Sequence, residues 1–285
     1  MTVTIALIGH PVAHSLSPAL QQAALDEIAF DARYEAWDVL PEELPQAIEQ
    51  LRSSTVLGAN VTVPHKVGLV GHVDLVDSIA ERVGAVNTIV CRGNQLHATN
   101  TDVVGVLNAL KDEDVAIEGA EVVLIGAGGA ARAVVAALHM AGVGVITVAN
   151  RTLGRGEHLR SIVGTDVDLR SCPLDPNAEE LHFAMARAAL VIHSTPLGMS
   201  HGPDEAATAL PSELFVPGQA VFDLVYTPER TPFLQAAEAA GARPIGGLGM
   251  LVHQGAESFR LWTGCEPPLG VMFDVARAAL QDVKP

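Results

Sequence analysis

The sequence predicts an α/β protein of two domains, each built around a largely parallel sheet, and three observations support this. The 285 residues are enough for two hydrophobic cores. Short runs rich in Val, Ile and Ala alternate with longer Ala- and Leu-rich helical stretches along almost the whole chain, as expected of repeated βα units. A glycine-rich turn separates one such strand from its helix near the middle of the chain.

The first series of elements occupies the amino-terminal part of the chain. In order, it comprises a strand over 4–9, a helix over 17–28, a strand over 33–39, a helix over 41–51 and a strand over 58–63. Ser17 suits the N-cap of the first helix, and Pro18 suits its first turn. In the last strand, "GANVTV", Val61 and Val63 alternate with polar residues, so we expect both valines on the buried face.

A second series begins with a predicted bridging helix. In order, it comprises that helix over 100–113, a strand over 120–126, a helix over 129–142, strands over 144–150, 188–194, 219–226 and 242–246, and helices over 249–264 and 268–283. The last two helices can fold back on either domain. The irregular segments 171–180 and 200–211 contain several turn-forming residues, which predicts surface connections.

The charge balance narrows the choice of partners. With 17 Lys and Arg against 33 Asp and Glu, the formal net charge is −16, and so acidic a surface repels nucleic acid and anionic membranes. We therefore expect a small-molecule substrate and neither of those partners. Any anionic ligand would need local cations to overcome the overall charge. The sequence leaves both a monomer and a homodimer open.

The sequence predicts no disulfide, no export signal and no metal site. Cys91, Cys172 and Cys265 are odd in number and lack CxxC spacing, which is typical of thiols in a reducing compartment. The first apolar run is short and has no basic region before it, and no segment reaches ~18 uninterrupted apolar residues. We expect a soluble, cytoplasmic protein. His10 and His14 are four positions apart without an apparent third ligand, so no metal site is expected.

The glycine-rich turn in "VVLIGAGGAARAVVAAL" is typical of dinucleotide binding. It comprises Gly126, Ala127, Gly128, Gly129, Ala130 and Ala131, which is the G-x-G-x-x-A variant of the pattern. Gly126 permits the tight turn, Gly128 lets the backbone approach a pyrophosphate, and the helix N-terminus attracts the phosphates. A merely tight structural turn is the alternative interpretation.

The end of the next predicted strand indicates which dinucleotide is bound. NAD-binding folds usually place Asp or Glu there, about 20 residues after the glycines, against the ribose hydroxyls. This chain has Asn150, Arg151 and Thr152 instead, with Arg155 one turn further. Because a guanidinium can hold a 2′-phosphate through two hydrogen bonds, the pattern favours NADP(H) over NAD(H). Solvated arginines beside a helix cap are the simpler alternative.

Nine segments of the chain resemble, in order, the motifs of one enzyme family. They are "HSLSP" (14–18), "GANVTVPHK" (58–66), "GAVNT" (84–88), "NTD" (100–102), "GAGGAAR" (126–132), "NRT" (150–152), "TPLGM" (195–199), "DLVYTPERTPFL" (223–234) and "GLGMLVHQ" (247–254). The ordered set resembles shikimate dehydrogenase over nearly the full length of the chain. The resemblance implies NADPH-dependent reduction of 3-dehydroshikimate to shikimate, in the route to aromatic amino acids.

The resemblance also implies an architecture. The substrate-binding and catalytic domain would comprise residues 1–104 plus 250–285. Residues 105–249 would form an NADP-binding, Rossmann-type domain with a doubly wound parallel sheet. The active site would lie in the cleft between the two.

By resemblance, Lys66 and Asp102 are the catalytic pair. Hydride addition to a ring ketone builds negative charge on its oxygen, and a nearby ammonium stabilises that charge and can supply or relay a proton. Asp102 would hold the ammonium in place and hydrogen-bond a substrate hydroxyl. Whether Lys66 is the proton donor or an electrostatic anchor stays open. His65 is interpreted as scaffolding for the site.

The remaining contacts implied by the resemblance suit a substrate with a carboxylate and several hydroxyls. The substrate contacts are Ser15, Ser17, Thr62, Asn87, Tyr226 and Gln254, in addition to Lys66 and Asp102, and the contacts near the nicotinamide are Leu224 and Gly247. Ser15 and Ser17 match carboxylate-binding serines at a helix N-terminus. The chain departs from the family pattern at His193, where "HST" replaces the common "NAT", and at Gly246, where an aspartate is frequent.

Two other functions stay open. One is an NAD-using dehydrogenase that acts on quinate, or on both quinate and shikimate, and Arg151 counts against it. Aminoshikimate is a further substrate that the sequence does not exclude. The other function is a dinucleotide-binding regulatory protein without catalysis, and the intact Lys66 and Asp102 count against that.

Overall fold

The computed structural model describes residues 2–282, which form two compact α/β units. The first unit contains residues 2–105 and 251–282, and the second contains residues 106–250. Both changes of unit occur within a helix, one in Asp102–Asp112 and the other in Leu248–Thr263. The second unit is therefore inserted into the sequence of the first.

The strands and helices of the described residues alternate along most of the chain. The strands are β1 Val3–Gly9, β2 Ala32–Asp38, β3 Val56–Val61, β4 Leu75–Val76, β5 Thr88–Arg92, β6 Gln95–Thr99, β7 Glu121–Ile125, β8 Val145–Asn150, β9 Asp168–Pro173, β10 Leu190–His193, β11 Ala220–Asp223 and β12 Arg243–Ile245. The helices are α1 Ser17–Glu27, α2 Leu44–Leu51, α3 Ser78–Val83, α4 Asp102–Asp112, α5 Gly129–Met140, α6 Leu153–His158, α7 Arg160–Val163, α8 Glu179–Arg187, α9 Pro232–Ala239, α10 Leu248–Thr263 and α11 Leu269–Asp282. None of these helices is both long and apolar enough to cross a membrane.

The sheet of the first unit is mixed. Its strand order is β2-β1-β3-β5-β6-β4. Strand β1 is parallel to β2 and β3, whereas β5 is antiparallel to both β3 and β6. The expectation of a largely parallel sheet is wrong for this half of the sheet, because Gly93 and Asn94 close a two-residue hairpin between Arg92 and Gln95. Strands β1 and β3 still end at one common edge, which positions the segments that follow them.

The sheet of the second unit is parallel throughout, with the order β12-β11-β10-β7-β8-β9. The chain builds outward from β7 to β9 and then returns to build outward from β10 to β12. This is the predicted doubly wound, Rossmann-type arrangement, and its strand order reverses beside β7. In such sheets the ligand crevice opens at that reversal, beyond the carboxyl ends of the strands.

Apolar residues on the strands of each sheet supply its core. In the first unit, Ile8, Val61 and Ile89 pack with Leu51 of α2. The core of the second unit includes Val123, Ile125, Val191, Val221, Leu181, Phe215 and Phe233. Their burial gives each unit its own hydrophobic stabilisation.

The structure corrects three local expectations in the first unit. Ser17 is the first residue of α1 and not its N-cap, since the Ser15 hydroxyl accepts the Ser17 N–H at 3.2 Å. The helix predicted over 41–51 is a short 3₁₀ turn followed by α2, because Pro45 is tolerated only in a first turn. Val63 is 68% exposed, because β3 ends at Val61 and the alternation ends with it.

Segment 171–180 is not the surface connection that its prolines predict. Its first three residues complete β9, and its last two begin α8. Cys172 is buried in the core, which draws the segment into the sheet. Pro173 is tolerated there because β9 is an edge strand and lacks a neighbour on one side.

Candidate functional site

Lys66 and Asp102 form an ion pair in the first unit. Lys66 lies in the loop after β3, and Asp102 is the first residue of α4, where a carboxylate interacts favourably with the helix dipole. Lys66 Nζ lies 2.6 Å from Asp102 Oδ2, and the two side chains are 21% and 7% exposed. The ammonium therefore has a fixed anionic partner and keeps some access to solvent.

The loop that carries Lys66 is held on both sides. The Lys66 carbonyl accepts the Val86 N–H at 2.7 Å, which fixes its backbone. His65 is buried, and its Nε2 lies 2.7 Å from the carbonyl oxygen of Val39, the residue that follows β2. That contact supports the interpretation of His65 as scaffolding for the lysine.

Asn87 approaches the second oxygen of the Asp102 carboxylate. Its Nδ2 lies 2.8 Å from Asp102 Oδ1 and 3.3 Å from Gln254 Oε1. Its own oxygen accepts the backbone N–H of Thr101 at 2.7 Å. The structure thus brings together four predicted site residues, since Lys66 completes the cluster from the other side of the carboxylate.

Ser15, Ser17 and Thr62 lie at the same sheet edge as this cluster. Ser15 and Ser17 follow β1, and Thr62 follows the parallel neighbour β3, so carboxyl ends of adjacent strands carry all three hydroxyls. The Thr62 N–H donates to the carbonyl of Ile8 at 2.8 Å, which ties the two segments together. The described side chains give these hydroxyls no direct hydrogen bond to Lys66 or Asp102.

Among the predicted substrate contacts, Tyr226 belongs to the second unit and the others belong to the first. The predicted nicotinamide contacts, Leu224 and Gly247, also belong to the second unit. The Leu224 N–H donates to the His193 carbonyl at 3.0 Å, which fixes the segment after β11. A Cβ added at Gly247 would lie 2.4 Å from the Leu224 carbonyl oxygen, so only glycine fits there. Burial raises the pKa of Tyr226, which keeps its phenol protonated and able to donate a hydrogen bond.

The turn between β7 and α5 fits a dinucleotide pyrophosphate. Gly126 has φ +101°, and a Cβ there would lie 2.7 Å from Thr195 Cγ2, so this position requires glycine. Gly128 and Gly129 are different, because a Cβ at either would meet no atom of the protein within 4 Å. Open space therefore faces the N-terminus of the 12-residue helix α5, whose free N–H groups suit phosphate oxygens.

The end of β8 fits the 2′-phosphate of NADP(H). Asn150 ends the strand, and its Nδ2 donates to the Thr152 carbonyl at 2.8 Å, which fixes the loop into α6. Arg151 and Arg155 are exposed, and within residues 2–282 neither guanidinium has an ion pair or side-chain hydrogen bond. Two unpaired cations at this strand end suit a dianionic group.

His193 occupies a fully buried position in the second unit. Its Nδ1 lies 2.9 Å from Asp223 Oδ1, and its Nε2 lies 2.5 Å from Thr195 Oγ1. Asp223 also accepts hydrogen bonds from the Thr231 hydroxyl at 2.6 Å and the Val225 N–H at 3.0 Å. His193, which departs from the family pattern, therefore connects the segments after β10 and β11 through a buried network in which the polar groups are hydrogen-bonded.

The histidines near the start of the chain do not assemble a metal site. Within the described residues, no group of three or more His, Cys, Asp and Glu side chains could hold a metal ion. His10 Nδ1 instead lies 2.8 Å from Asp38 Oδ1, in an exposed pair.

Sequence reasoning missed four buried polar residues beneath the cluster of Lys66, Asp102, Asn87 and Gln254. They are Asn60, Thr88, Thr101 and Ser258, and their hydrogen bonds reach Asn87 directly or through one another. Thr88 and Thr101 lie inside the motifs "GAVNT" and "NTD", so their place beside Asn87 and Asp102 was a usable signal. Ser258 has no such signal, because a serine in a helix more often faces solvent or a local carbonyl.

Three models of known protein families match the chain. They are the shikimate dehydrogenase substrate binding domain over residues 7–89, the shikimate/quinate 5-dehydrogenase family over 108–198 and the shikimate 5'-dehydrogenase C-terminal domain over 247–280. Together they cover most of the chain and both units.

Curated relatives and solved structures agree with these matches. The shikimate dehydrogenase (NADP(+)) of Symbiobacterium thermophilum is 43% identical over 97% of this chain and 94% of its own. The enzyme of the same name from Moorella thermoacetica is 44% identical over 98% of this chain and 94% of its own. The crystal structure of shikimate 5-dehydrogenase from Thermus thermophilus, in complex with NADP(H) and shikimate, has 41% identity and a TM-score of 0.86, and it covers 98% of this chain and 100% of its own.

Proposed function

This chain belongs to the shikimate dehydrogenase family, and on that premise we propose that it catalyses the reversible NADPH-dependent reduction of 3-dehydroshikimate to shikimate. The observation that carries the proposal is the Lys66–Asp102 pair, with Nζ 2.6 Å from Oδ2. A regulatory protein without catalysis would not need this pair. Because this reaction is biosynthetic, we expect the protein to work in the cytoplasm.

The second unit would hold the cofactor through two features. The turn Gly126, Ala127, Gly128, Gly129 and Ala130 would bind the pyrophosphate on the N-terminus of α5. Arg151 and Arg155, with Asn150 and Thr152 beside them, would bind the 2′-phosphate, and Leu224 and Gly247 would lie near the nicotinamide. When bound, NADPH supplies the hydride.

The first unit would bind and orient the substrate. Ser15 and Ser17 offer two side-chain hydroxyls at the start of α1, a suitable site for a carboxylate. Thr62, Asn87 and Gln254 offer short polar groups for the ring hydroxyls. The family resemblance would add the Tyr226 phenol as a further contact. Because buried polar groups left unpaired are costly, such a site should reject analogues that lack a matching hydroxyl.

Lys66 would stabilise the negative charge that develops on the carbonyl oxygen and would deliver a proton from Nζ. The Asp102 carboxylate would hold that nitrogen in place beside the substrate. In the reverse direction, the neutral amine of Lys66 would accept the hydroxyl proton. Asn87, on the other carboxylate oxygen, would keep Asp102 from turning away.

Steady-state turnover tests the proposal directly. The reduction of NADP⁺ and of NAD⁺ is followed by absorbance, with shikimate and with quinate as the alcohol, side by side. We expect the highest kcat/KM with shikimate and NADP⁺. Equal efficiency with NAD⁺ would overturn the cofactor assignment, and preference for quinate would favour the alternative dehydrogenase. Binding of NADPH without turnover of either alcohol would favour a regulatory protein.

A further inference from the structure

Three buried hydroxyls form a closed triangle beneath the cluster of Lys66, Asp102, Asn87 and Gln254. Thr88 Oγ1 lies 2.8 Å from Ser258 Oγ, Thr101 Oγ1 lies 3.1 Å from Ser258 Oγ, and the two threonine oxygens are 3.2 Å apart. All three residues are at most 2% exposed. Each hydroxyl supplies one proton, so the direction of the hydrogen bonds is set by the groups around the triangle.

Asn60 donates into the triangle. Its Nδ2 lies 3.0 Å from Ser258 Oγ and 3.2 Å from Thr88 Oγ1, and it also donates to the Asn87 carbonyl at 3.2 Å. Its Oδ1 accepts the Tyr34 hydroxyl at 2.7 Å. Burial raises the pKa of Tyr34, so the phenol stays protonated and acts as the donor. With a donor on its oxygen and a carbonyl against its nitrogen, the Asn60 amide has one favourable orientation.

The triangle also contacts the side-chain amide of Asn87. The Thr88 hydroxyl donates to Asn87 Oδ1 at 3.0 Å, and the Thr101 N–H donates to the same oxygen at 2.7 Å. The Asn87 nitrogen consequently faces three acceptors, Asp102 Oδ1 at 2.8 Å, Thr101 Oγ1 at 2.9 Å and Gln254 Oε1 at 3.3 Å. If the Asn87 amide were flipped, its oxygen would face the Asp102 carboxylate and be repelled by it. The Thr88 hydroxyl and the Thr101 N–H would then lose their acceptor.

Ser258 links the same array to helix α10. Its hydroxyl lies 3.0 Å from the carbonyl oxygen of Gln254, four residues earlier in the helix, as well as 2.8 Å from Thr88 Oγ1. The turn of α10 that carries Gln254 is therefore tied to the strand residue that follows Asn87. Ser258 thus contacts Gln254 directly and reaches Asn87 through Thr88.

We propose that Thr88 and Ser258 are positioning residues of the substrate site. Their hydroxyls determine that the nitrogen of the Asn87 amide faces Asp102. Asp102 in turn holds the Lys66 ammonium in position. The expected effect on shikimate turnover rests on the proposed function. The orientation of the Asn87 amide does not, because it is a property of the protein alone. The two are therefore tested by different measurements.

The kinetic test removes single hydroxyls. Thr88→Val keeps the side-chain shape, Thr88→Ser restores the hydroxyl, and Ser258→Ala removes the second one. We expect Thr88→Val and Ser258→Ala to lower kcat/KM for shikimate about tenfold, the effect of one lost hydrogen bond, with KM for NADP⁺ unchanged. Thr88→Ser should stay close to wild type. Wild-type efficiency in Thr88→Val would overturn the proposal.

Thr263 offers a matched control in the same helix. Its hydroxyl bonds the carbonyl four residues earlier at 2.8 Å, as Ser258 does, but the triangle does not include it. Thr263→Val should keep wild-type kcat/KM. A loss equal to that of Ser258→Ala would show that any back-bonded hydroxyl in α10 matters, and it would refute a specific role for Ser258.

A double-mutant cycle tests whether Thr88 acts through Asn87. If it does, Thr88→Val should cause no further loss of kcat/KM in an Asn87→Ala background, because the group that it positions is already absent. A further tenfold loss in that background would contradict the proposal.

The side-chain amide signals of Asn87 in nuclear magnetic resonance give a measurement that needs no turnover. They are identified by their absence from Asn87→Ala, in protein without substrate. We expect these signals to shift in Thr88→Val and Ser258→Ala and to stay in place in Thr88→Ser and Thr263→Val. Unchanged signals in Thr88→Val would overturn the positioning role, whereas a wild-type protein inactive on shikimate would overturn only the proposed function.

Discussion

At the scale of single residues, Lys66 is distinguished from Lys111 by its carboxylate partner and its partial burial. Lys111 is exposed in the last turn of α4, whereas Lys66 Nζ is held 2.6 Å from Asp102. If Lys66 handles the proton, Lys66→Ala should lower kcat by about 10²- to 10⁴-fold and change KM for shikimate much less. Steady-state rates check this, with Lys111→Ala as the control that should behave as wild type.

Lys66→Arg separates the two roles that the sequence leaves open. A guanidinium keeps the positive charge but does not release a proton at ordinary pH. We therefore expect Lys66→Arg to be nearly as slow as Lys66→Ala. Substantial activity in the arginine variant would assign an electrostatic role, and wild-type turnover in Lys66→Ala would remove Lys66 from the mechanism.

At the same scale, we propose that Arg151 sets the preference for NADP(H) over NAD(H). Its guanidinium is exposed beside the end of β8, with the fixed Asn150–Thr152 loop beneath it. Arg151→Ala should raise KM for NADP⁺ about tenfold or more, the effect of one lost charge-assisted hydrogen bond, and should leave KM for NAD⁺ nearly unchanged. Arg187→Ala is the control, because Arg187 is exposed in the same unit but pairs with Glu121 at the start of β7. An equal loss for both cofactors would show that Arg151 does not contact the 2′-phosphate.

At the scale of an element, the turn between β7 and α5 contains two glycines that serve different needs. Gly126 is required by the fold, since its φ is +101° and a Cβ would contact Thr195. Gly128 has φ −91° and open space around it, so the fold tolerates a side chain there. Gly126→Ala should lower Tm by several degrees, whereas Gly128→Ala should keep wild-type Tm and raise KM for NADP⁺.

Thermal unfolding and cofactor titration of the two variants distinguish these needs. If Gly128→Ala lowered Tm as much as Gly126→Ala, the space over α5 would belong to the fold and not to the cofactor. Unchanged KM for NADP⁺ in Gly128→Ala would place the pyrophosphate elsewhere.

The sequence predicted five of the six strands of the second unit, because their local signals agree with the fold. The strand–turn–helix at 120–142 and the parallel strands after it are confirmed, since buried parallel strands give continuous apolar runs. The first unit was harder to predict. Val63 continues the apolar alternation but is exposed, because alternation does not indicate where β3 stops pairing.

The β5–β6 hairpin went unpredicted although a signal was present. Gly93 and Asn94 lie between two runs with alternating apolar residues, which is the pattern of a two-residue hairpin turn. The short helices α6 and α7 had a weaker pattern, because Gly154 and Gly156 lower the intrinsic helix preference there.

The candidate site was predictable where a residue type is chemically conspicuous. Lys66 follows an apolar strand and Asp102 begins a helix, so both stand out in the sequence, and the structure shows them as an ion pair. Thr88 and Ser258 do not, because buried hydroxyls gain meaning only from neighbours that are distant in sequence. Ser258 is 170 positions from Thr88, so only the fold reveals the contact.

At the scale of the whole molecule, the net charge of −16 opposes the approach of an anionic cofactor. The repulsion acts over long distances and is screened beyond ~10 Å at 0.1 M salt, whereas contacts with Arg151 and Arg155 act at close range. The association rate of NADPH, measured by stopped-flow fluorescence, should therefore rise as NaCl increases from about 10 mM to about 100 mM. A falling rate would show that the local cations already dominate the field at long range.

The division of the first unit into two stretches of sequence has a consequence for protein synthesis. Chain growth runs from the amino terminus, so the nucleotide-binding unit, which ends at residue 250, is translated before Gln254 and Ser258 exist. A chain that stops there would contain the glycine-rich turn and Lys66. It would lack most of α10, including Gln254 and Ser258. Nucleotide binding would therefore need residues only up to 250, whereas turnover would also need the residues of α10 that follow them.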